Sequence, residues 1–280
     1  MSATDPDPFA LARQAGERLA ERTGTEQHDL FVVLGSGWAH VAHLLPAGTD
    51  VAMVDLPGFP APSAAGHGGS FRSLEIDGLR VLLALGRVHL YEGHDPNVVA
   101  HGVRTAWAAG CSTVILTNAA GILHREWPLG RPIVISDHLN LTGTSPLTGL
   151  NPQAPLQGRF ADMSAPYTPA LRALAHTVEP SMPEAVYAGF RGPQFETPAE
   201  VRMAGILGAG LVGMSTVTEA IAASHLRMRI LGLSLATNLA AGISPEPLDG
   251  EHVLGVARAN AEWVGALLYR IIRAIAAQTR

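Results

Sequence analysis

The stretch at 80–94, "RVLLALGRVHLYEGH", changes character halfway along its length. Residues 81–85 are all apolar, whereas Arg87, His89 and Tyr91 then occupy every second position. Side chains on a strand alternate between its two faces, so the pattern predicts a strand whose last part carries these three groups on one side. A guanidinium, an imidazole and a phenol in one row suit an anion with a sugar or ring beside it. A half-exposed edge strand is the alternative interpretation.

Further short apolar runs alternate with helical or loop segments. They are "LFVVLG" at 30–35, "LRVLLAL" at 79–85, "STVILTN" at 112–118, "RPIVISDHLNL" at 131–141, "GLVGMS" at 210–215 and "RILGLSLATN" at 229–238. Strands interleaved with helices predict an α/β fold with a central mixed, twisted β-sheet flanked by helices. No repeat or shift of composition marks a second domain, so residues 1–280 are expected to form one domain.

The N-terminal region, residues 1–29, is expected to supply one helix and a lead-in to the first strand. Asp7 followed by Pro8 is typical of an N-cap and a first-turn proline, and Gly24 is typical of a helix end. The region lacks the basic start and apolar core of a signal peptide. No uninterrupted apolar run approaches the roughly 20 residues of a membrane span. The sequence therefore predicts a soluble protein.

The composition narrows the class of function. A net charge of -5 argues against a nucleic-acid binder, because binding to a phosphate backbone needs a basic surface. Only 15% of residues are charged and 47% are hydrophobic, with a mean hydropathy of +0.19, which indicates surface buried between subunits. The single cysteine, Cys111, excludes an intrachain disulfide and a CxxC metal site, and it fits a reducing cytoplasm.

Several predicted strands end in small or polar residues. These ends are "GSG" at 35–37, "TNAAG" at 117–121, "MST" at 214–216 and "TN" at 237–238. Because ligands of α/β sheets bind beyond the carboxyl ends of the strands, we expect these ends to form the rim of one pocket. The long irregular stretches at 56–70 and 142–164 are expected to cover that rim.

Two of these ends could hold an anion. Ser36 lies between two glycines, but the segment is neither GxGxxG nor a P-loop, and an ordinary turn explains it equally well. Thr216 and Glu219 have the spacing of a capping box, which predicts a helix N-terminus at Ser215. A helix start with a free hydroxyl binds anions, although an ordinary capped helix is the alternative.

Two other segments could recognise a planar ring. In "GPQFETPAE", Phe195 could stack on the ring and Glu196 could accept its N–H groups. The competing interpretation is that Glu196 or Glu200 merely starts the helix after Pro198. Asn238 can donate and accept at once, but an Asn at a strand end is often a turn former.

The set of motifs and their order resembles one known family. In chain order they are "GSG", "AAGHGG", "GRVHLYEG", "TNAAG", "SDHLNL", "GPQFETPAE", "GMSTVTEAIAA" and "SLATN". This series resembles the trimeric, low-molecular-mass class of purine nucleoside phosphorylases, from about residue 30 to the C-terminal helix. The resemblance implies the nucleoside phosphorylase fold and a cytosolic homotrimeric enzyme of purine salvage. It also implies cleavage of purine ribo- and deoxyribonucleosides by inorganic phosphate as co-substrate, without a metal or cofactor.

The resemblance also implies roles for individual residues. Asn238, Glu196 and His89 would carry the catalytic roles, and Glu92 would steady His89. The implied phosphate ligands are Ser36, His67, Arg87, His89, Ser215 and the backbone at Ala119. The implied ribose contacts are Tyr91, Met214, His252 and, from the neighbouring subunit, Phe160. The implied base contacts are Phe195, Glu196 and Asn238.

The chain departs from the family pattern at three places. Ile122 stands where a glycine is usual and is expected to stiffen a turn beside the phosphate contact, whereas Thr218 replaces a proline that varies within the family. The histidine that usually contacts the ribose 5′-hydroxyl falls at Gly250 or, with a two-residue shift, at His252.

Two alternative functions stay open at this point. A methylthioadenosine phosphorylase shares the fold and much of the phosphate site, but it usually carries an aspartate at the position of Asn238. A non-catalytic nucleoside- or phosphate-binding protein could keep the fold, since residues of the site and not the fold must carry a functional claim.

Overall fold

The computed structural model describes residues 7–61, 69–150, 158–245 and 247–279. Its helices are α1 (Pro8–Thr23), α2 (Pro96–Val99), α3 (His101–Ala108), α4 (Pro169–Val178), α5 (Pro198–Ile206), α6 (Val217–His225), α7 (Gly250–Ala259) and α8 (Ala261–Thr279). Its strands are β1 (Leu30–Leu34), β2 (Thr49–Ala52), β3 (Ser70–Ile76), β4 (Leu79–Leu85), β5 (Thr113–Ile122), β6 (Pro132–Asn140), β7 (Glu184–Gly189), β8 (Ala209–Gly213) and β9 (Arg229–Leu239). No helix in these ranges is long and apolar enough to cross a bilayer.

The strands form one mixed sheet in the order β2-β3-β4-β1-β5-β8-β7-β6-β9. Strand β1 pairs in parallel with β4 and β5, whereas β3 pairs antiparallel with β2 and β4. Strands β5 and β9 also pair with each other in parallel, so β5, β8, β7, β6 and β9 close into a ring. The predicted mixed sheet flanked by helices is confirmed.

The core lies on both faces of the sheet. Along β1, Phe31 and Val33 pack into one apolar cluster with α1, α3 and α6, whereas Val32 and Leu34 pack into another with α4 and α8. Every residue of β1 is buried, as expected for a central strand covered by helices on both sides. Because β1 packs against helices on both faces, its end is held in place.

The N-terminal helix has the predicted bounds. Asp7 Oδ1 accepts a hydrogen bond from Phe9 N at 3.0 Å, and Pro8 occupies the first turn. Gly24 ends the helix with φ 71°, a left-handed conformation that glycine adopts without a steric penalty. Local capping chemistry is therefore sufficient to position this helix.

The prediction for 86–94 is wrong in its local structure. Strand β4 ends at Leu85, and Gly86 then turns the chain with φ 108°. A single 3₁₀ turn follows at Leu90–Glu92, because the Glu92 carboxylate accepts a hydrogen bond from His89 N at 2.8 Å. The alternating polar residues are therefore placed by a glycine and a capped turn, not by the pleat of a strand.

Ile122 also lies in a setting that differs from the expectation. Strand β5 continues to Ile122, whose side chain is fully buried in the apolar cluster below α6. The expected turn is absent at this residue, so Ile122 contributes to the core and does not stiffen a loop. The sequence reading also missed β2, β3 and β7.

The two predicted covering stretches are described only in part. Residues 56–61, 142–150 and 158–164 contain neither helix nor strand, whereas Ser70 already begins β3. His67 and the remainder of these stretches lie outside the described residues. The described parts of both stretches are therefore irregular up to the start of β3.

Candidate active site

The polar strand ends meet around one cavity, as the sequence predicts. It has a volume of about 320 Å³ and lies where β5, β8 and β9 approach their carboxyl ends. A neighbouring cavity of about 490 Å³ shares Ser36, His89 and Tyr91 with it and adds Arg87 and Glu92. The predicted site residues that line the first cavity are Ser36, His89, Tyr91, Ala119, Phe195, Glu196, Met214, Ser215 and Asn238.

Arg87 is the cation in the wall of the second cavity. Its side chain is 4% exposed, and its Nε lies 3.3 Å from Glu219 Oε1 in a buried ion pair. Its Nη1 donates to Thr216 Oγ1 at 3.4 Å, whereas Nη2 has no hydrogen-bond partner within the described part of the chain. A β-carbon at Gly35 would come within 3.1 Å of the guanidinium carbon, so glycine there allows this close packing.

The partner of Arg87 is a carboxylate with no access to water. Burial raises the pKa of Glu219, and the adjacent Arg87 guanidinium opposes that rise. Glu219 Oε2 also accepts a hydrogen bond from Thr216 N at 3.2 Å, which confirms the predicted capping at the start of α6. The same carboxylate therefore fixes both a helix end and the arginine.

His89 is held as a neutral ring. Its Nδ1 lies 3.1 Å from Glu92 Oε1, and its ring stacks on Tyr91 with centroids 4.6 Å apart and planes 13° apart. Burial and then the Arg87 charge lower the pKa of His89 to about 4, against the opposing effect of Glu92. Because a carboxylate only accepts, we assign the proton to Nδ1, which leaves Nε2 as an acceptor.

Ser215 lies at the junction of β8 and α6. Its backbone N–H donates to the Tyr187 hydroxyl at 3.3 Å, and its Oγ lies 3.2 Å from Thr216 Oγ1. Burial raises the pKa of the Tyr187 phenol to about 12, so it stays protonated. Ser215 borders the cavity and offers it a hydroxyl donor, whereas Thr216 N and Val217 N at the start of α6 are already bonded to Glu219 Oε2 and Ser215 O.

Glu196 is a buried carboxylate, one oxygen of which is unpaired in the described part of the chain. It is 7% exposed, its Oε1 has no hydrogen-bond partner in the described ranges, and burial raises its pKa. The helix that follows is capped instead by Thr197 and Glu200, whose side chains form a capping box. Glu200 therefore starts α5, and Glu196 borders the cavity beside Phe195.

A β-bulge in the sheet orients the Asn238 side chain. The pairing of β5 with β9 shifts register after Ala120, so Gly121 pairs with Asn238 and Thr237 is the extra residue. Such bulges redirect side chains, and they are frequent beside active sites. Asn238 Oδ1 accepts from Thr237 Oγ1 at 3.0 Å, and a β-carbon at Gly121 would lie 3.2 Å from Asn238 Nδ2.

Two predicted ribose contacts do not line the cavity. Helix α7 presents Gly250, Val253 and Leu254 to it, and that helical spacing places His252 off the lining face. His252 is therefore not among the residues that line this cavity, whereas the alternative position, Gly250, is; a ribose contact by His252 stays a prediction. Phe160 is 88% exposed and does not line the cavity of its own chain.

Sequence reasoning missed three buried groups behind the cavity wall. Thr216 and Glu219 were assigned only to capping, and Asn118 was not assigned at all. Asn118 is 1% exposed, donates to Thr216 Oγ1 at 2.8 Å, and keeps its Oδ1 without a partner among the described residues. The polar pair "TN" inside an apolar strand was the available signal. Over the same described ranges, no group of three or more His, Cys, Asp or Glu residues could hold a metal.

Comparison with known proteins agrees with this geometry. Residues 29–273 match the Phosphorylase superfamily. The purine nucleoside phosphorylase of Cellulomonas sp is 51% identical over 275 residues, covering 95% of this chain and 94% of that protein. A crystal structure of Schistosoma mansoni purine nucleoside phosphorylase with inosine has a TM-score of 0.87 at 28% identity, covering 94% of this chain and 95% of the other. The same protein with adenosine has a TM-score of 0.86 at 29% identity, covering 93% and 95%.

These likenesses extend over nearly the whole chain and include the strands that carry the site. The chain therefore belongs to the phosphorylase superfamily and, within it, to the purine nucleoside phosphorylases.

The buried ion pair makes a stability prediction. Glu219→Gln keeps the side-chain shape but leaves Arg87 without a counter-charge, so we expect the free energy of unfolding to fall by about 3 kcal/mol. Glu126→Gln, which removes an exposed contact to His124, is the control and should change it by less than about 1 kcal/mol. Urea unfolding at fixed protein concentration measures both. Equal losses in the two variants would contradict the role assigned to the ion pair.

Proposed function

We propose that this enzyme cleaves the N-glycosidic bond of inosine, guanosine and their deoxy forms with inorganic phosphate. The products are the free base and ribose or deoxyribose 1-phosphate, as purine salvage requires. The observation that carries this proposal is a single cavity bordered by two unlike groups. Ser215 and His89, beside buried Arg87, suit an anion, whereas Glu196 and Asn238 suit a purine.

The anion end supports phosphate as the second substrate. Arg87 Nη2 has no partner among the described residues and can donate, and Ser36 and Ser215 supply further donors at the cavity. The backbone at Ala119 borders the same space, and His67 is proposed as a further ligand. With its proton on Nδ1, His89 offers Nε2 as a hydrogen-bond acceptor to the hydroxyl of hydrogen phosphate.

The reaction breaks the bond between C1′ and N9 and forms a bond between C1′ and a phosphate oxygen. The electron pair of the breaking bond leaves with the purine, so positive charge grows on the ribose and negative charge on the base. Phosphate beside C1′ stabilises the first charge and then attacks from the face opposite the base, which inverts C1′. Met214 and Tyr91 would pack against the sugar, and the site must stabilise both charges in the transition state. No metal or cofactor is part of the proposal.

The base end supports recognition of 6-oxopurines. The Asn238 amide can donate to O6 or N7, and Glu196 can accept from N1–H and from the 2-amino group of guanine. Phe195 is 43% exposed and offers a face on which the ring can stack. Adenine instead presents an unprotonated N1 to Glu196, which leaves a buried carboxylate unpaired.

We also propose a cytoplasmic homotrimer whose sites are completed across subunit interfaces. Phe160 is 88% exposed in the single chain, so its ring is available to a neighbouring subunit. The low charge content supports association, and the single buried Cys111 suits a reducing compartment.

The phosphate assignment predicts a selective kinetic defect. Arg87→Ala and His89→Ala should each raise the KM for phosphate more than the KM for inosine, because both side chains lie at the anion end. The loss should be about 1.5–3 kcal/mol for each charge-assisted hydrogen bond. Arg80→Ala, which removes an exposed ion pair on β4, is the matched control and should leave both KM values unchanged. A defect confined to inosine would refute the assignment.

The base assignment predicts selectivity, and the same assay tests the function itself. We expect phosphate-dependent cleavage of inosine and guanosine, with kcat/KM for adenosine and methylthioadenosine lower by up to about 10⁴-fold. Because a relative has been crystallised with adenosine, turnover and not binding must be measured. Burial raises the pKa of Glu196, so lowering the pH protonates it and should increase the relative rate with adenosine.

Asn238→Asp should shift selectivity towards adenosine, since a carboxylate accepts from the 6-amino group. The measurement is kcat/KM for inosine and adenosine in both proteins. Equal values in the wild type, or the same ratio in the variant, would mean that residue 238 does not read the base. Cleavage without phosphate would refute the proposed reaction.

The trimer proposal predicts a role for Phe160 in a neighbouring site. Phe160→Ala should raise the KM for inosine without changing the melting temperature by more than a few degrees. Ile206→Ala, at a side chain that is 86% exposed, is the control and should leave KM unchanged. Light scattering gives the oligomeric state at assay concentration. A fully active monomer would contradict the proposal.

A further inference from the structure

The turn that leads into α6 is strained. Thr216 has φ 69° and ψ -46°, and Val217 N donates to Ser215 O at 2.7 Å. Residues 215–217 therefore form a γ-turn with positive φ at its centre, which is the rare and strained hand of this turn. A β-branched residue is especially unfavourable in that region. Strain of this kind persists only where the surrounding structure holds it, and it clusters at functional sites.

Neighbouring groups hold Thr216 in this conformation. Its N–H donates to Glu219 Oε2 at 3.2 Å, its carbonyl oxygen accepts from Ala220 N at 2.8 Å, and the residue is 1% exposed. Capping alone does not require the strain, because N-cap residues ordinarily use extended backbone. Helix capping therefore does not explain why Thr216 adopts the strained conformation.

The position of the Thr216 hydroxyl explains the strain, since the hydroxyl lies among the groups of the anion site. Its Oγ1 is 3.4 Å from Arg87 Nη1, 2.8 Å from Asn118 Nδ2 and 3.2 Å from Ser215 Oγ. A guanidinium and an amide NH2 can only donate, and the capping box directs Glu219 N to the same oxygen, so the lone pairs of Thr216 Oγ1 are already engaged. Its own proton is then directed to Ser215 Oγ.

This pattern sets the direction of the hydrogen bond between the two hydroxyls. Ser215 Oγ accepts from Thr216, so the Ser215 proton is free to be donated into the cavity. The same oxygen fixes Nη1 of Arg87, while Nη2 has no partner in the described part of the chain. One strained residue thereby orients a neutral donor and a charged donor at once.

We propose that Thr216 is a positioning residue of the anion site, whose strained turn holds its hydroxyl where it orients Arg87 and Ser215 for phosphate. This inference rests on the proposed function and deepens it. Thr216 does not touch phosphate in this scheme; it acts through the two groups that do.

Three variants separate the hydroxyl from the strain. Thr216→Val keeps the branched shape and loses the hydroxyl, Thr216→Ser keeps the hydroxyl, and Thr216→Gly removes both the hydroxyl and the strain. Thr218→Val, two residues later on α6 and equally buried, is the matched control. For each protein we would measure the KM for phosphate and for inosine. The rise in melting temperature with added inorganic phosphate, without nucleoside, gives phosphate affinity independently of turnover.

We expect Thr216→Val to weaken phosphate binding about tenfold, the size of one hydrogen bond to a charged group, with the KM for inosine unchanged. Thr216→Ser and Thr218→Val should resemble the wild type. Thr216→Gly relieves the strain but leaves the buried Asn118 amide without its acceptor, so we expect a phosphate defect as large as that of Thr216→Val. A merely structural role would lower the melting temperature without raising the KM for phosphate more than the KM for inosine.

Other results would overturn the inference. Wild-type phosphate affinity in both Thr216→Val and Thr216→Gly would do so, as would a Thr216→Ser variant as impaired as Thr216→Val. If the valine variant fails to fold, the glycine variant alone decides the question. A wild-type enzyme that binds phosphate but cleaves no inosine would refute the proposed function, and the phosphate melting curves would still test the role of Thr216.

Discussion

The site depends on one buried ion pair, between Arg87 and Glu219. Both side chains are at most 5% exposed, so neither charge could persist there alone. Glu219 also accepts from Thr216 N, which couples the arginine to the start of α6. An added anion would find an arginine already desolvated and oriented, and this reduces the reorganisation needed on binding.

The ring formed by β5, β8, β7, β6 and β9 positions the other groups of the site. Because β5 also pairs with β9, the ends of β5, β8 and β9 are brought to one place, and the bulge at Thr237 directs Asn238 there. Glycine at 121 permits the close approach of the Asn238 amide. Ser215 and Asn238 thus come from strands of this ring, whereas Arg87 and His89 come from the turn after β4 of the same sheet.

Much of this could be predicted from the sequence, where local chemistry decides the structure. Asp7, Pro8 and Gly24 define α1 through capping, and continuous apolar runs define β1, β4, β5 and β9. Strands β2 and β3 were missed because they carry polar residues on one face near the sheet edge, and β7 because alanine and glycine, which are depleted in strands, make up half of it. The motif series was specific enough to indicate the family and most residues that border the cavity.

Other features depend on contacts that local patterns do not encode. Arg87 meets Thr216, 129 residues away in the chain, so neither the ion pair nor the hydroxyl network could be read from spacing. The alternating polar side chains at 87–91 predicted a strand, but Gly86 and Glu92 instead form a turn there. The placement of His252 could not be read from the sequence, because one residue of phase along α7 decides which side chains face the cavity.

The most direct test of the account is a crystal structure of the enzyme with inorganic phosphate. The account predicts an anion within hydrogen-bond distance of Arg87 Nη2, Ser215 Oγ and His89, with the Arg87–Glu219 pair intact behind it. Phosphate bound elsewhere, or an Arg87 guanidinium turned away from the anion, would contradict it.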